Sequence, residues 1–348
     1  MPGSTEQPLV RVCGNRFVIA GGHPFIPYGF NYDHDEHYRL LEDYWHSEWE
    51  KVERDFVAMR DAGANTVRIH LQAGTFLASA QSLHEPALQQ LDRLVQLAGE
   101  LQLRLHIVGL GCYHRQRVPA WYDALEQDER WRVQAMFWQT LAARYRGCGT
   151  IFCFDLMNEP LVPARCRRER GWLGQDYHGS HFTQYIALAG TPPTRSAIAR
   201  AWTQRLASAI RRADPQRLVT IGLVDWSLPH CKPSSGFAPE EIAPLLDFVC
   251  LHIYPESGHI ASAVAVVEQF RLGKPLLVDE SFPLRCSAEE FDGFLGAIRP
   301  LVNGLLGFYT DQVAVPLTEH HHLRNRAMRE WLHVFSRQRP AYLGDLPA

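Results

Sequence analysis

Two glutamates in this chain stand where chemistry is most easily done. Glu159 closes the run Ile151-Phe152-Cys153-Phe154-Asp155-Leu156-Met157-Asn158, and Pro160 breaks the run directly after it. Glu280 closes Lys274-Pro275-Leu276-Leu277-Val278-Asp279. Each apolar run reads as a buried strand that delivers one carboxylic acid to the rim of a sheet. Two carboxylates at the ends of two parallel strands are the equipment for breaking a glycosidic bond. One acid protonates the departing oxygen while its partner, ionised, attacks the anomeric carbon.

The elements that must position them alternate along the chain. Strands are expected at Phe25–Tyr32, Asn65–Leu71, Leu103–Leu110, Ile151–Met157, Arg217–Leu223, Phe248–Ile253, Pro275–Glu280 and Gly304–Tyr309. Between them, apolar residues recur at helical spacing: Val52, Phe56 and Met59; Leu88, Leu91 and Val95; Val133, Phe137 and Leu141; Ile198, Trp202 and Leu206. Helices also follow strand six (Val264, Val267, Phe270) and strand eight (Ala327–Phe335). Gly63 is placed to stop the first helix and Pro86 to open the second. Near-continuous apolar strands alternating with helices point to an α/β fold, a (β/α)8 TIM barrel. Residues 1–348 are read as one catalytic domain with a long loop after strand four. An open doubly wound sheet is the alternative, but no glycine-rich phosphate fingerprint follows strand one.

In a parallel barrel, every strand end reaches the same face. Arg68, Asn158, Glu159, His252, Tyr254, Glu280 and Tyr309 would converge there from different strands. Arg68 and Tyr254 would stabilise an anion at Glu280. Partial burial and the charge of Glu280 would raise the pKa of Glu159. Asn158 is placed to hold the sugar 2-hydroxyl. Alternation along the strand puts Asp279 and Glu280 on opposite sides, so that one of them faces the site. Trp226, after strand five, is a candidate sugar platform.

Bulk properties narrow the partners. The chain has 348 residues and a net charge of −3, so neither nucleic acid nor another polyanion is expected as a partner. No stretch approaches the roughly 18 apolar residues of a membrane span. The first residues lack the pattern of a secretory signal. The eight cysteines show no C-x-x-C spacing and read as reduced thiols, which favours the cytoplasm, or secretion if a signal has been trimmed. The partner expected is a carbohydrate, with no cofactor and no metal; the oligomeric state is open. Asp33-His34-Asp35-Glu36-His37 has the composition of a metal cluster but reads as a substrate-contacting rim loop. His320-His321-His322 reads as the solvated start of the last helix. The aromatics of the 161–193 stretch, Trp172, Tyr177, His178, His181, Phe182 and Tyr185, suit stacking on sugar or packing of the loop.

Four segments in order resemble the clan A glycoside hydrolases, closest to family 5, the cellulase-like family. They are Asn65-Thr66-Val67-Arg68-Ile69, Phe154-Asp155-Leu156-Met157-Asn158-Glu159-Pro160, Leu251-His252-Ile253-Tyr254-Pro255 and Leu277-Val278-Asp279-Glu280-Ser281. The resemblance implies Glu159 as acid/base and Glu280 as nucleophile. Arg68, Asn158, His252 and Tyr254 would line the subsite of the cleaved sugar. It also implies retention of anomeric configuration on a β-linked glucan, mannan, short oligosaccharide or β-glycoside conjugate. The chain departs from the family pattern in having Tyr309 where Trp is usual, only His114 near the end of strand three, and Asp279 before the nucleophile. A transglycosylase and a non-hydrolytic carbohydrate-binding barrel are the alternatives.

Overall fold

The computed structural model describes residues 7–35, 37–169, 171–177, 179–191, 193–309 and 319–344, with side chains of the last segment described from 327. Its centre is a closed barrel of eight parallel strands. They are β1 Tyr28–Asn31, β2 Thr66–Gln72, β3 Arg104–Gly111, β4 Ile151–Asn158, β5 Leu218–Val224, β6 Val249–His252, β7 Leu276–Glu280 and β8 Leu305–Phe308. Each pairs with its neighbours in chain order, and β8 closes on β1 through Leu305↔Tyr28 and Phe308↔Asn31. Barrel strands are covered on the outside by helices and on the inside by one another, which is why they read as apolar runs.

Long helices cover most crossovers: Trp49–Asp61, Glu85–Glu100, Gln127–Arg144, Arg195–Ala213, Ile260–Gln269, Ala288–Ile298 and Glu319–Leu343. Their apolar stripes carry the outer core; Val52, Phe56, Leu91, Phe137, Leu141, Trp202 and Leu206 are fully buried. The crossover from β5 to β6 departs from this pattern. It holds the 3-10 turn Asp225–Ser227, then the short helix Pro239–Ile242 and the 3-10 turn Ala243–Leu245. Pro239 and Pro244 fit helix starts but not helix interiors, which keeps both pieces to a single turn.

The opposite mouth of the barrel is plugged by a hairpin the sequence pattern did not reveal, Arg11–Cys13 with Arg16–Val18. Phe17 packs edge-on against Phe152 and Phe248, with ring centroids 5.2 and 5.0 Å apart. Three-residue strands carry too little alternation to be read. All eight cysteines are free thiols, and Cys153 and Cys250 are buried in β4 and β6. Among the described residues, no helix is long and apolar enough to cross a membrane.

Candidate active site

Arg68 is the hub of the barrel's upper interior. It is fully buried in β2. Its Nη1 donates to Asn31 Oδ1 at 2.8 Å and to Glu280 Oε2 at 3.0 Å. Its Nη2 donates to Asp155 Oδ2 at 2.8 Å and to Asn158 Oδ1 at 3.0 Å. One guanidinium thus ties β1, β2, β4 and β7 together and neutralises carboxylates that could not stay buried alone. Replacing Arg68 with Met should take the guanidinium away from Asp155, Asp279 and Glu280 at once. We expect a stability loss of about 3–5 kcal/mol in urea unfolding, together with loss of activity.

Glu280 ends β7 facing this arginine. Oε1 accepts the hydroxyl hydrogen bond of Tyr254, and His252 Nδ1 lies 3.4 Å from Oε2. Burial pushes the Glu280 carboxyl above its ordinary value. His252, Arg68 and Tyr254 pull against that, while the negative charge of Glu159 adds to it. The expected donors to a Glu280 anion are therefore present, but in the free site the upward shift falls on Glu280.

Glu159 stands at the rim just past β4, its side chain partly exposed. Its φ of 44° is in the left-handed region, a conformation costing a non-glycine residue roughly 1–3 kcal/mol. Its backbone N–H is held by the Gly222 carbonyl at 3.1 Å. His252 Nδ1 lies 2.9 Å from Glu159 Oε1. Glu159, His252 and Glu280 bring polar atoms within 4.8 Å of one another. Gly222 of β5 makes room for this meeting, because a Cβ there would lie 2.6 Å from His252 Nε2 and 2.9 Å from Arg68 Nη2.

Asn158, next to the acid, accepts from Arg68 and donates from Nδ2 to the Phe182 carbonyl at 3.0 Å. Phe182 packs edge-on against Tyr113 at 5.1 Å, so the long loop after β4 reaches back over the site. The rest of that loop is fastened at several points. Pro160–Leu161 pairs with Gln184–Tyr185, the buried Trp172 donates to the Asp123 carbonyl, and Arg167 lies 3.8 Å over the Tyr185 ring. Tyr177 is exposed, and His178 lies outside the described residues.

Three expected placements change. Tyr309 follows β8, but its ring is buried against Phe30 and Tyr32, at 5.7 and 6.4 Å, as core rather than platform. His114 turns toward Asp43, with Nε2 3.7 Å from Oδ2. The residue before it, Tyr113, takes the inward position and meets His70 Nδ1 at 2.5 Å. Burial and the Arg68 charge hold His70 down to about 3, so it is neutral and presents Nε2 to Arg68 at 3.3 Å. Third, Asp279 and Glu280 do not face opposite sides. A register shift between Leu251 and His252 pairs His252 with Glu280, and both acids reach Arg68, Asp279 Oδ2 lying 3.4 Å from Nε.

Trp226 sits half-buried on the turn Asp225–Ser227. Burial, opposed by the hydrogen bond from the Trp226 N–H and reinforced by the charge of Glu159, raises Asp225, which puts this turn beside the acid. In the β1 loop, Asp35 accepts from the backbone of His37 and Arg39 and from the Arg39 side chain, organising the turn. Asp33 pairs with His34 at 3.0 Å, while Glu36 lies outside the described residues, as do Thr310, Asp311 and the side chains of His320–His322.

The residues missed in sequence are Asn31, His70, His106, Tyr113 and Asp155. The visible signal was a charge inside an apolar strand, Asp155 in β4 and His106 in β3, since such burial requires a partner. Beneath the acid pair, His106, Cys250 and Asp279 also gather within 4.8 Å. A cation there or between the glutamates would meet the Arg68 guanidinium, a positive group already in place.

The model of the cellulase family, glycosyl hydrolase family 5, matches residues 18–264. The chain belongs to glycosyl hydrolase family 5. This family 5 barrel resembles the exo-β-1,4-mannosidase Op5Man5 from Opitutaceae bacterium strain TAV5, with a TM-score of 0.69 at 20% identity over 94% of the chain. The chain spans 61% of that mannosidase's length. It also resembles a GH5_18 protein from Streptomyces cattleya in complex with GlcNAc, with a TM-score of 0.65 at 17% identity, covering 93% of this chain and 82% of that one. The endo-1,4-β-mannanase of Rhizomucor miehei superposes with a TM-score of 0.64 at 15% identity, covering 94% and 99%. Among curated protein sequences the chain has no match. The matched family is one of glycosyl hydrolases, described by its model as cellulase.

Proposed function

We propose that this family 5 enzyme is a retaining β-glycosidase working by double displacement. The observation that carries the reading is the approach of the Glu159 and Glu280 carboxylates to within 4.8 Å, with Arg68 and Tyr254 both donating to Glu280. Retaining enzymes hold their two carboxyl groups about 5–5.5 Å apart, whereas inverting ones leave roughly 6.5–9.5 Å for a water. Glu280 attacks the anomeric carbon as Glu159 protonates the leaving oxygen. The C–O bond to the aglycone breaks and an ester to Glu280 forms. Glu159, now a carboxylate, takes a proton from water, whose oxygen displaces Glu280 and restores both acids.

Asn158 is the group for the sugar 2-hydroxyl, held by Arg68 on one side and the loop on the other. Trp226 is the candidate platform, since Tyr309 is committed to the core. The substrate is a β-linked glucan, mannan or short oligosaccharide. The loop that folds back through Phe182 favours a short, pocket-bound one. The test is a panel of aryl β-glucoside, mannoside, xyloside, galactoside and cellobioside. Manβ1-4GlcNAc, the ligand of a Streptomyces cattleya GH5_18 variant, joins it. The first-formed product should carry the β configuration by NMR; an α product would overturn retention. Transfer to added acceptor sugars in place of water would make the enzyme a transglycosylase.

A further inference from the structure

Asp279 precedes the nucleophile, and the acid–base chemistry above has no use for it. Its side chain is wholly buried under the site floor. Oδ1 lies 3.6 Å from His252 Nε2, and Oδ2 lies 3.4 Å from Arg68 Nε and 3.9 Å from His106 Nε2. Among the described residues, neither carboxyl oxygen has a hydrogen-bond donor within bonding geometry, and His252 Nε2 has no closer partner than Asp279. The His252 ring therefore spans two carboxylates, Asp279 at Nε2 and Glu159 at Nδ1, the latter at 2.9 Å.

A neutral imidazole has one N–H and one lone pair. Between two carboxylates it would aim that lone pair at one of them. Only the imidazolium donates to both. Arg68 turns Nε toward Asp279, 3.4 Å from Oδ2, but its two Nη atoms serve Asn31, Asp155, Asn158 and Glu280, which leaves the donor to Glu159 to His252. His106 offers no help, since burial holds it below its usual value and so neutral.

We propose that Asp279 is a positioning residue that, from beneath the site floor, keeps His252 doubly protonated and so fixes an N–H on Glu159. The inference rests on the reading of Glu159 as acid/base. Once Glu159 has given its proton to the aglycone, its carboxylate faces a charged donor rather than a lone pair. That favours the carboxylate form needed to activate water. The groups facing His252 are Glu159 from β4, Asp225 after β5, Asp279 and Glu280 from β7, and Arg68 and neutral His70 from β2. Burial opposes the charge on His252, but Glu280 and Asp279 outweigh it and hold the ring well above the ordinary imidazole range.

The experiment is 15N NMR of histidine-labelled enzyme, with the His252 signals identified by their loss in His252→Gln. In the unaltered enzyme both ring nitrogens should remain protonated from about pH 6 to pH 8, across the range where an unperturbed imidazole would titrate. In Asp279→Asn the ring should titrate within that range. With a dinitrophenyl β-glycoside, whose turnover is limited by water attack on the Glu280 ester, the ratio of kcat at about pH 5.5 to that at about pH 8 should then rise roughly tenfold relative to the unaltered enzyme, whatever the absolute drop. A neutral His252 at pH 7 in the unaltered enzyme overturns the proposal, as does an Asp279→Asn profile of unchanged shape. If Asp279→Asn does not fold, the spectrum of the unaltered enzyme decides alone. That spectrum also stands apart from turnover, so a charged His252 in an enzyme that hydrolyses no β-glycoside would count against the glycosidase reading and not against the Asp279–His252 pairing.

Discussion

Glu280→Gln should abolish turnover. The amide keeps the volume of the carboxyl and can still accept from Arg68 or Tyr254, so the barrel should fold and bind sugar. What it cannot do is attack the anomeric carbon and leave again as a carboxylate. The loss in kcat/KM for an aryl β-glycoside should be on the order of 10⁴-fold or more, the scale seen when a covalent nucleophile is removed. The shorter Glu280→Ala opens space for a small anion. Azide should then restore some activity toward a dinitrophenyl β-glycoside, giving the α-azide by a single inversion. Retained activity in Glu280→Gln, measured on the same preparation with unchanged unfolding behaviour, would show that Asp279 or another group is the nucleophile. The geometry argues against Asp279. It is sealed under the floor, whereas Glu280 stands at the top of β7 with Tyr254 and His252 around it.

The legibility of this site follows the physics of a parallel barrel. Each strand end was readable because each strand is buried on both sides, and Glu159 and Glu280 were visible as the polar residues that stop an apolar run. The eight observed strands fall within about three residues of those expected, the largest difference being β1, which starts at Tyr28 rather than Phe25. What alternation could not reveal was depth. Asp279 and Glu280 were placed on opposite sides because a regular strand alternates its faces. The shift of register at His252 breaks that regularity and admits both acids to the interior. Likewise, residues named for the end of strand three pointed to His114, while the inward place belongs to Tyr113. A one-residue difference in where a strand turns decides which side chain enters the barrel interior, and composition carries no record of it.

The direction of the acid–base assignment also needed the coordinates. Reading neighbours in sequence put the raised acid at Glu159, through partial burial and the charge of a Glu280 that Arg68 and Tyr254 were expected to hold ionised. Both contacts exist. They compete, however, with a desolvation that falls on Glu280, the more buried of the two, and with the charge of its partner. Three cationic or donor groups on Glu280 thus oppose that penalty, as the proposed attack by its carboxylate requires. The sequence could name these groups, but burial sets the penalty they must overcome.

Glu159→Gln should separate the two halves of the reaction. A substrate whose aglycone leaves unaided, such as a dinitrophenyl glycoside, should still glycosylate Glu280 at close to the unaltered rate. A substrate with a poor leaving group, an alkyl glycoside or a sugar, should slow by about 10²–10⁴-fold, the range of general acid catalysis. The dependence of kcat/KM on leaving-group pKa should therefore steepen in the variant. Water attack should also suffer, because the amide that replaces the Glu159 carboxylate cannot accept its proton. With the activated substrate the ester on Glu280 should accumulate, visible as a burst followed by slow turnover, and as a sugar adduct in the mass of the intact protein. Azide, which needs no base, should relieve the slow step and yield the β-azide, the product of two inversions. Equal losses across all leaving groups, with no burst, would mean that Glu159 holds the sugar rather than moving its proton. The 2.9 Å contact with His252 bears on the second half, since a donor at that distance favours the carboxylate that a base must be.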